Sequence, residues 1–120
     1  MKKFVVFIIL SLLIPAFANE VNDALSGGSD VLVYFYSPSC ISCKKFNPIF
    51  DEITKARKDI KCVKVNVETK DGASIFKKYH GFYIPYLIIT SSKSKKTVSV
   101  SPSCAYDNMC LERVIKHIKS

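Results

Sequence analysis

The strongest constraint on this chain is local. A continuous run of β-branched and aromatic residues, Val31 to Tyr36 (VLVYFY), leads into Cys40-Ile41-Ser42-Cys43 and then into Phe46, Ile49, Phe50 and Ile53. The run shows no polar alternation, so it reads as a strand buried on both faces. The four apolar residues after the cysteines repeat at helical spacing and predict an amphipathic helix over residues 40–58, with Pro48 expected to kink it. Two thiols three residues apart at a helix start lie close enough to join. The first faces unpaired backbone N–H groups and the positive end of the helix dipole. Both favour thiolate over thiol, so Cys40 is expected to be the more acidic and reactive sulfur. Cys43, one turn further in, is expected to be more buried and to resolve a mixed disulfide. Two plainer readings stand beside this one: half of a zinc site, or an inert structural disulfide. Zinc needs two further ligands, and Cys62, Cys104, Cys110, His80 and His117 make no second tight pair.

Other segments fill in the architecture. Residues 19–25 suggest a short helix ended by Gly27-Gly28. Ile60 to Val67 reads as a second strand and Tyr86 to Thr90 as a third. Ser91 to Lys96 (SSKSKK) is a polar turn, and Thr97 to Ser101 returns as a fourth strand, completing a hairpin. Asp71 is a candidate cap for a helix reaching Tyr79, and Asp107 for a last helix carrying Leu111, Val114, Ile115 and Ile118. This order implies an α/β chain with one mixed four-stranded sheet flanked by helices on both faces. At 120 residues the chain fits one domain, and no repeat or linker divides it.

The start of the chain reads as something else. Lys2 and Lys3 precede an uncharged apolar run from Phe4 to Ile14, then Pro15 and Ala16-Phe17-Ala18. This is the layout of a cleaved secretory signal over residues 1–18, with the cut after Ala18. The rival, a retained anchor, needs about 20 apolar residues, more than this run supplies. Residues 19–120 are then the working domain, located in the periplasm or otherwise exported. Losing Lys2 and Lys3 takes the formal charge from +8 to +6. All five cysteines remain, in a compartment where disulfides persist.

The sequence resembles the thioredoxin family over about Asp30 to Ser120. Cys43-Lys44-Lys45-Phe46-Asn47-Pro48-Ile49-Phe50-Asp51-Glu52 is similar to that family's C-K-x-x-x-P-x-x-x-E helix. Val63-Lys64-Val65-Asn66-Val67 looks like its next strand, and Tyr79 to Pro85 (YHGFYIP) looks like its approach to an active-site cis-proline. The resemblance implies a thioredoxin-like fold and a thiol–disulfide oxidoreductase with Cys40 as nucleophile and Cys43 as resolving thiol. It also implies a cis Ile84–Pro85 bond facing Cys40, with Ile84, Pro85, Ile41 and Ser42 lining the substrate. The chain departs from the family pattern at Ser39, where the family has tryptophan, and at Ile41-Ser42, where it has Gly-Pro. Tyr34 stands where the family has a buried proton-accepting acid, and Lys64, which matches the lysine beside that acid, lacks the acidic partner. Proton transfer at Cys43 must then use water or another group. No histidine lies between the cysteines, and the redox direction is open.

Cys104 and Cys110, six apart, read as a stapling disulfide. By the family's layout that loop lies beside the active site, so a relay with Cys40-Cys43 is the second reading. Cys62, placed in an expected central strand, reads as a buried, inert thiol, or alternatively as one that bonds between chains. His80 and His117 read as surface or satisfied residues. Lys93, Lys95 and Lys96 cluster on one turn, interleaved with serine rather than aromatic residues, and Lys77 and Lys78 sit on a helix, so the turn reads as a solvated hairpin tip with no nucleic-acid pattern. The expected partners are substrate proteins bearing thiols or disulfides and an unidentified redox partner, with membrane contact only during export. No cofactor or metal is needed, and a monomer is expected. The alternatives are a non-catalytic binding module of an envelope assembly and a metal-handling thiol protein.

Overall fold

The computed structural model describes residues 20–119, and the expected leader over residues 1–18 lies outside them. The elements are α1 (Glu20–Ser26), β1 (Val31–Tyr36), α2 (Ile41–Ala56), β2 (Lys61–Asn66), α3 (Lys70–Lys78), β3 (Tyr86–Thr90), β4 (Thr97–Val100), α4 (Pro102–Tyr106) and α5 (Asn108–Lys119). The four strands form one sheet in the order β2-β1-β3-β4. β1 runs parallel to β2 and antiparallel to β3, and β3 and β4 form the hairpin. This is the mixed four-stranded sheet that the sequence pattern implies.

β1 is central, which explains its unbroken apolar run. Its alternate residues feed two separate cores. Leu32 and Tyr34 pack with Phe46 and Phe50 of α2, Leu87 and Ile89 of β3, and Leu111, Ile115 and Ile118 of α5. Val31, Val33 and Phe35 pack on the other face with Val21 of α1 and, half-buried, Phe76 of α3. A strand that must satisfy both layers has no position for a solvated polar residue.

Three details correct the sequence reading. The cap of α3 is Thr69, whose hydroxyl accepts the Gly72 N–H at 2.9 Å, and Asp71 sits inside the first turn. The sequence reading had no counterpart to α4. Ser101 caps it and Pro102 opens it, a favourable start hidden in a segment too short to show periodicity. β2 is an edge strand rather than a central one, so Cys62 is half-buried instead of fully enclosed. Asp107 does cap α5, its Oδ1 accepting the Met109 and Cys110 N–H groups at 3.0 and 3.4 Å. Gly28, with φ of 86°, ends α1 in the left-handed region that a residue without a Cβ enters freely.

Candidate active site

The sheet register brings three distant segments to one end. β1 ends at Tyr36, opposite Asn66, the last residue of β2. Phe35 pairs with Tyr86, the first residue of β3, and Leu87 pairs with Val100, the last of β4. The cysteine loop after β1, the Ile84–Pro85 segment before β3 and the start of α4 therefore share that end. The Ile84–Pro85 bond is cis. Both residues are half-buried, and Ile84 packs against the core cluster that also receives Cys40 and Cys43.

Cys40 and Cys43 are joined as a disulfide, with Cα atoms 5.1 Å apart. Cys40 is the cap of α2 rather than its first helical residue. Its backbone is extended, and its sulfur accepts the Cys43 N–H at 3.1 Å. When the pair is reduced, that N–H and the helix N-terminus face a thiolate, which is the form they stabilise. Cys40 is half-buried and Cys43 fully buried. This asymmetry matches an attacking sulfur outside and a resolving one inside. Between them Ile41 is 73% exposed, and Ser42 is exposed as well.

The turn carrying Cys40 is tied to the loop after β2. The Cys40 N–H donates to the Ser37 carbonyl at 3.1 Å, and the Ser39 N–H donates to Ser37 Oγ at 3.2 Å. The hydroxyls of Ser37 and Ser39 both hydrogen-bond the Glu68 carboxylate. The Ser37 bond, reinforced by Ser39, holds the Glu68 carboxyl below the usual carboxylate range. Sequence reasoning missed this anchor, because its members lie on separate loops and carry no local signature.

Tyr34 is wholly buried beneath the cysteine helix. Its hydroxyl donates to Asn47 Oδ1 at 2.8 Å and lies 3.1 Å from the Cys43 carbonyl oxygen. Its ring packs edge-on to Phe46 and tilted against Phe50, with both centroids 5.0 Å away. Burial, with Tyr36 adding to it, pushes the phenol up to about 12, so it stays protonated at neutral pH. Asn47 was also missed. Its signal is a polar residue one turn after Cys43 on a stripe otherwise made of Phe46 and Phe50. Lys64, which the sequence leaves without an acidic partner, sits over aromatic faces instead. Its Nζ is 4.5 Å from the Tyr36 centroid and 5.8 Å from that of Tyr34.

The remaining cysteines lie apart in role. Cys104 and Cys110 are joined, with Cα atoms 5.2 Å apart, across the junction of α4 and α5. Cys62 pairs in register with Leu32, four residues before the end of β1, about 13 Å along the strand. It is unpaired, and burial pushes its thiol up. Among the described residues no three His, Cys, Asp or Glu side chains converge as metal ligands.

The family model for thioredoxin matches residues 10–110. The chain is 33% identical over 92 residues to the M-type chloroplastic thioredoxin of Chlamydomonas reinhardtii, covering 71% of this chain and 64% of that protein. It is 41% identical over 49 residues to a thioredoxin of Mycoplasmoides gallisepticum, covering 41% of this chain and 49% of that protein. The chain thus spans between about half and two thirds of these curated relatives. The crystal structure of thioredoxin O2 from Arabidopsis thaliana in its oxidized state matches with a TM-score of 0.61 at 21% identity, covering 86% of this chain and 90% of that one. A likeness at that identity speaks for the fold.

Proposed function

The chain belongs to the thioredoxin family, and on that premise we propose that it is an exported thiol–disulfide oxidoreductase acting on protein cysteines. The observation that carries the reading is the cap geometry. Cys40 sits at the mouth of α2 with its sulfur on the Cys43 N–H, while Cys43 lies wholly buried behind it. In the reducing direction the Cys40 thiolate attacks a substrate disulfide. The substrate S–S bond breaks, and one substrate sulfur leaves as thiolate and takes a proton from water. Cys43 then loses its proton and attacks Cys40 in the mixed disulfide, releasing the second substrate sulfur. Two electrons pass from the cysteine pair to the substrate, and a redox partner restores them. The oxidising direction is the reverse. The substrate peptide lies across the Ile84 backbone and Pro85, against Ile41 and Ser42.

Export is supported by the three-part pattern of residues 1–18 and by a second bonded pair, Cys104–Cys110, of the kind that persists in oxidising compartments. The test couples purified protein to dithiothreitol with a substrate carrying an interchain disulfide. The wild type accelerates thiol release, and Cys40→Ser returns it to the dithiothreitol background. A wild type no faster than dithiothreitol alone rejects the reading.

A further inference from the structure

We propose that Tyr34 and Asn47 are positioning residues for Cys43, a neutral brace from the central strand that fixes the resolving sulfur and takes no proton during exchange. The inference rests on the oxidoreductase reading above. The hydroxyl of Tyr34 reaches from β1 to both Asn47 Oδ1 and the Cys43 carbonyl, 2.8 and 3.1 Å away. It does so at the weakest point of the helix. Pro48 follows Asn47 and has no N–H, so the Lys44 carbonyl loses its helical donor one residue after Cys43. A cross-strut from a rigid, wholly buried strand residue holds the turn on which that rung is missing.

The surroundings leave the brace uncharged. β2 presents Lys64 over the Tyr34 ring, β1 presents Tyr36 beside it, α2 presents Phe46, Asn47 and Phe50, and β3 places Leu87 opposite in register. None of these residues is a carboxylate, and the phenol is a donor at neutral pH. The resolving step is therefore Cys43–SH plus the Cys40–substrate disulfide giving the Cys40–Cys43 disulfide plus substrate thiol. The Cys43 proton passes to water, and the substrate sulfur takes one back. No outside oxidant enters, because the mixed disulfide is the species reduced.

The two halves of the cycle separate with 5,5′-dithiobis(2-nitrobenzoate) on a Cys62→Ala background. One thionitrobenzoate leaves when Cys40 attacks, and a second when Cys43 resolves. The brace predicts that Tyr34→Phe and Asn47→Ala leave the first phase unchanged and slow the second about tenfold at pH 7, the worth of one net hydrogen bond. The double variant should lose no more than Tyr34→Phe alone, which already removes the bond to Asn47. In the wild type the second phase should rise with pH through a single titration, that of Cys43. Asn47→Asp, which places a titratable carboxyl against the Tyr34 hydroxyl, should add a second inflection. A second phase insensitive to both Tyr34→Phe and Asn47→Ala overturns the brace alone, as does a wild-type inflection that Tyr34→Phe abolishes. Absence of the first phase in the wild type overturns the oxidoreductase reading and the brace with it. Should Tyr34→Phe fail to fold, Asn47→Ala carries the test, because Asn47 is half-buried and its loss opens no aromatic cavity.

Discussion

The two disulfides of this chain have nearly the same span, with Cα separations of 5.1 Å for Cys40–Cys43 and 5.2 Å for Cys104–Cys110, but their sulfurs meet opposite surroundings. In the first pair the sulfur is itself the helix cap, and Cys40 takes the Cys43 N–H. In the second pair oxygen atoms already hold those donors. Ser101 Oγ accepts the Cys104 N–H at 3.1 Å, and Asp107 Oδ1 accepts the Cys110 N–H. The second pair gains nothing from a helix start, and a carboxylate sits at its edge to oppose a thiolate. The two pairs thus differ in what accepts the N–H groups at the helix start rather than in their span.

The largest expected effect breaks the comparison outright. Cys40→Ser should abolish turnover. Cys104→Ser with Cys110→Ser should keep turnover and lose about 2 kcal/mol of stability, from the entropy of a short closed loop. That loss is a fall of about 10 °C in melting temperature, read by calorimetry. Lost turnover in the double variant would move the second pair from staple to relay.

Next comes the thiolate itself. In the fully reduced protein the Cys40 alkylation rate should reach half its maximum at least about one pH unit below the 8.5 of an ordinary thiol. Cys104 and Cys110 should titrate at or above that value, and equal profiles for the two pairs would defeat the cap argument. Cys62, its thiol pushed up chiefly by burial, should be alkylated more slowly than Cys40 at pH 7.

The smallest effect concerns the loop anchor. The Glu68 carboxyl is held below its ordinary value by Ser37 and then Ser39. A depressed folded value contributes stability that is present above the unfolded value of about 4.5 and lost as pH falls through the folded one. Melting temperature should therefore decline below about pH 4.5, and Glu68→Gln should flatten that decline slightly.

Much of this was legible locally. VLVYFY announced β1, the spacing of Phe46, Ile49, Phe50 and Ile53 announced α2, and Asp107 announced the start of α5. The cysteines were placed by the same signals, since a strand feeding a helix leaves its connecting residues at the helix mouth. The misses are equally physical. Thr69 caps α3 because its hydroxyl reaches the Gly72 N–H, a contest with Asp71 decided by backbone geometry. In IKCVKVNV, Lys61, Lys64 and Asn66 interrupt the kind of apolar run that marks β1, a hint of one solvated face, but the strand's place in the sheet order is settled only by pairing. Tyr34 was visible as an anomaly, but Asn47 became its partner only once α2 lay across β1.

The sequence by itself determined the element types, the place of Cys40-Ile41-Ser42-Cys43 at a strand–helix junction and the hairpin around SSKSKK, because these follow from periodicity, caps and turns within a few residues. The tertiary structure alone decided which sheet end gathers Cys40, Pro85 and Ser101. It also decided that Cys62 lies on an edge and that Glu68 ties Ser37 and Ser39 across a sequence separation of up to 31 residues. Those outcomes depend on register between distant strands, which is selected by burying both faces of β1 at once.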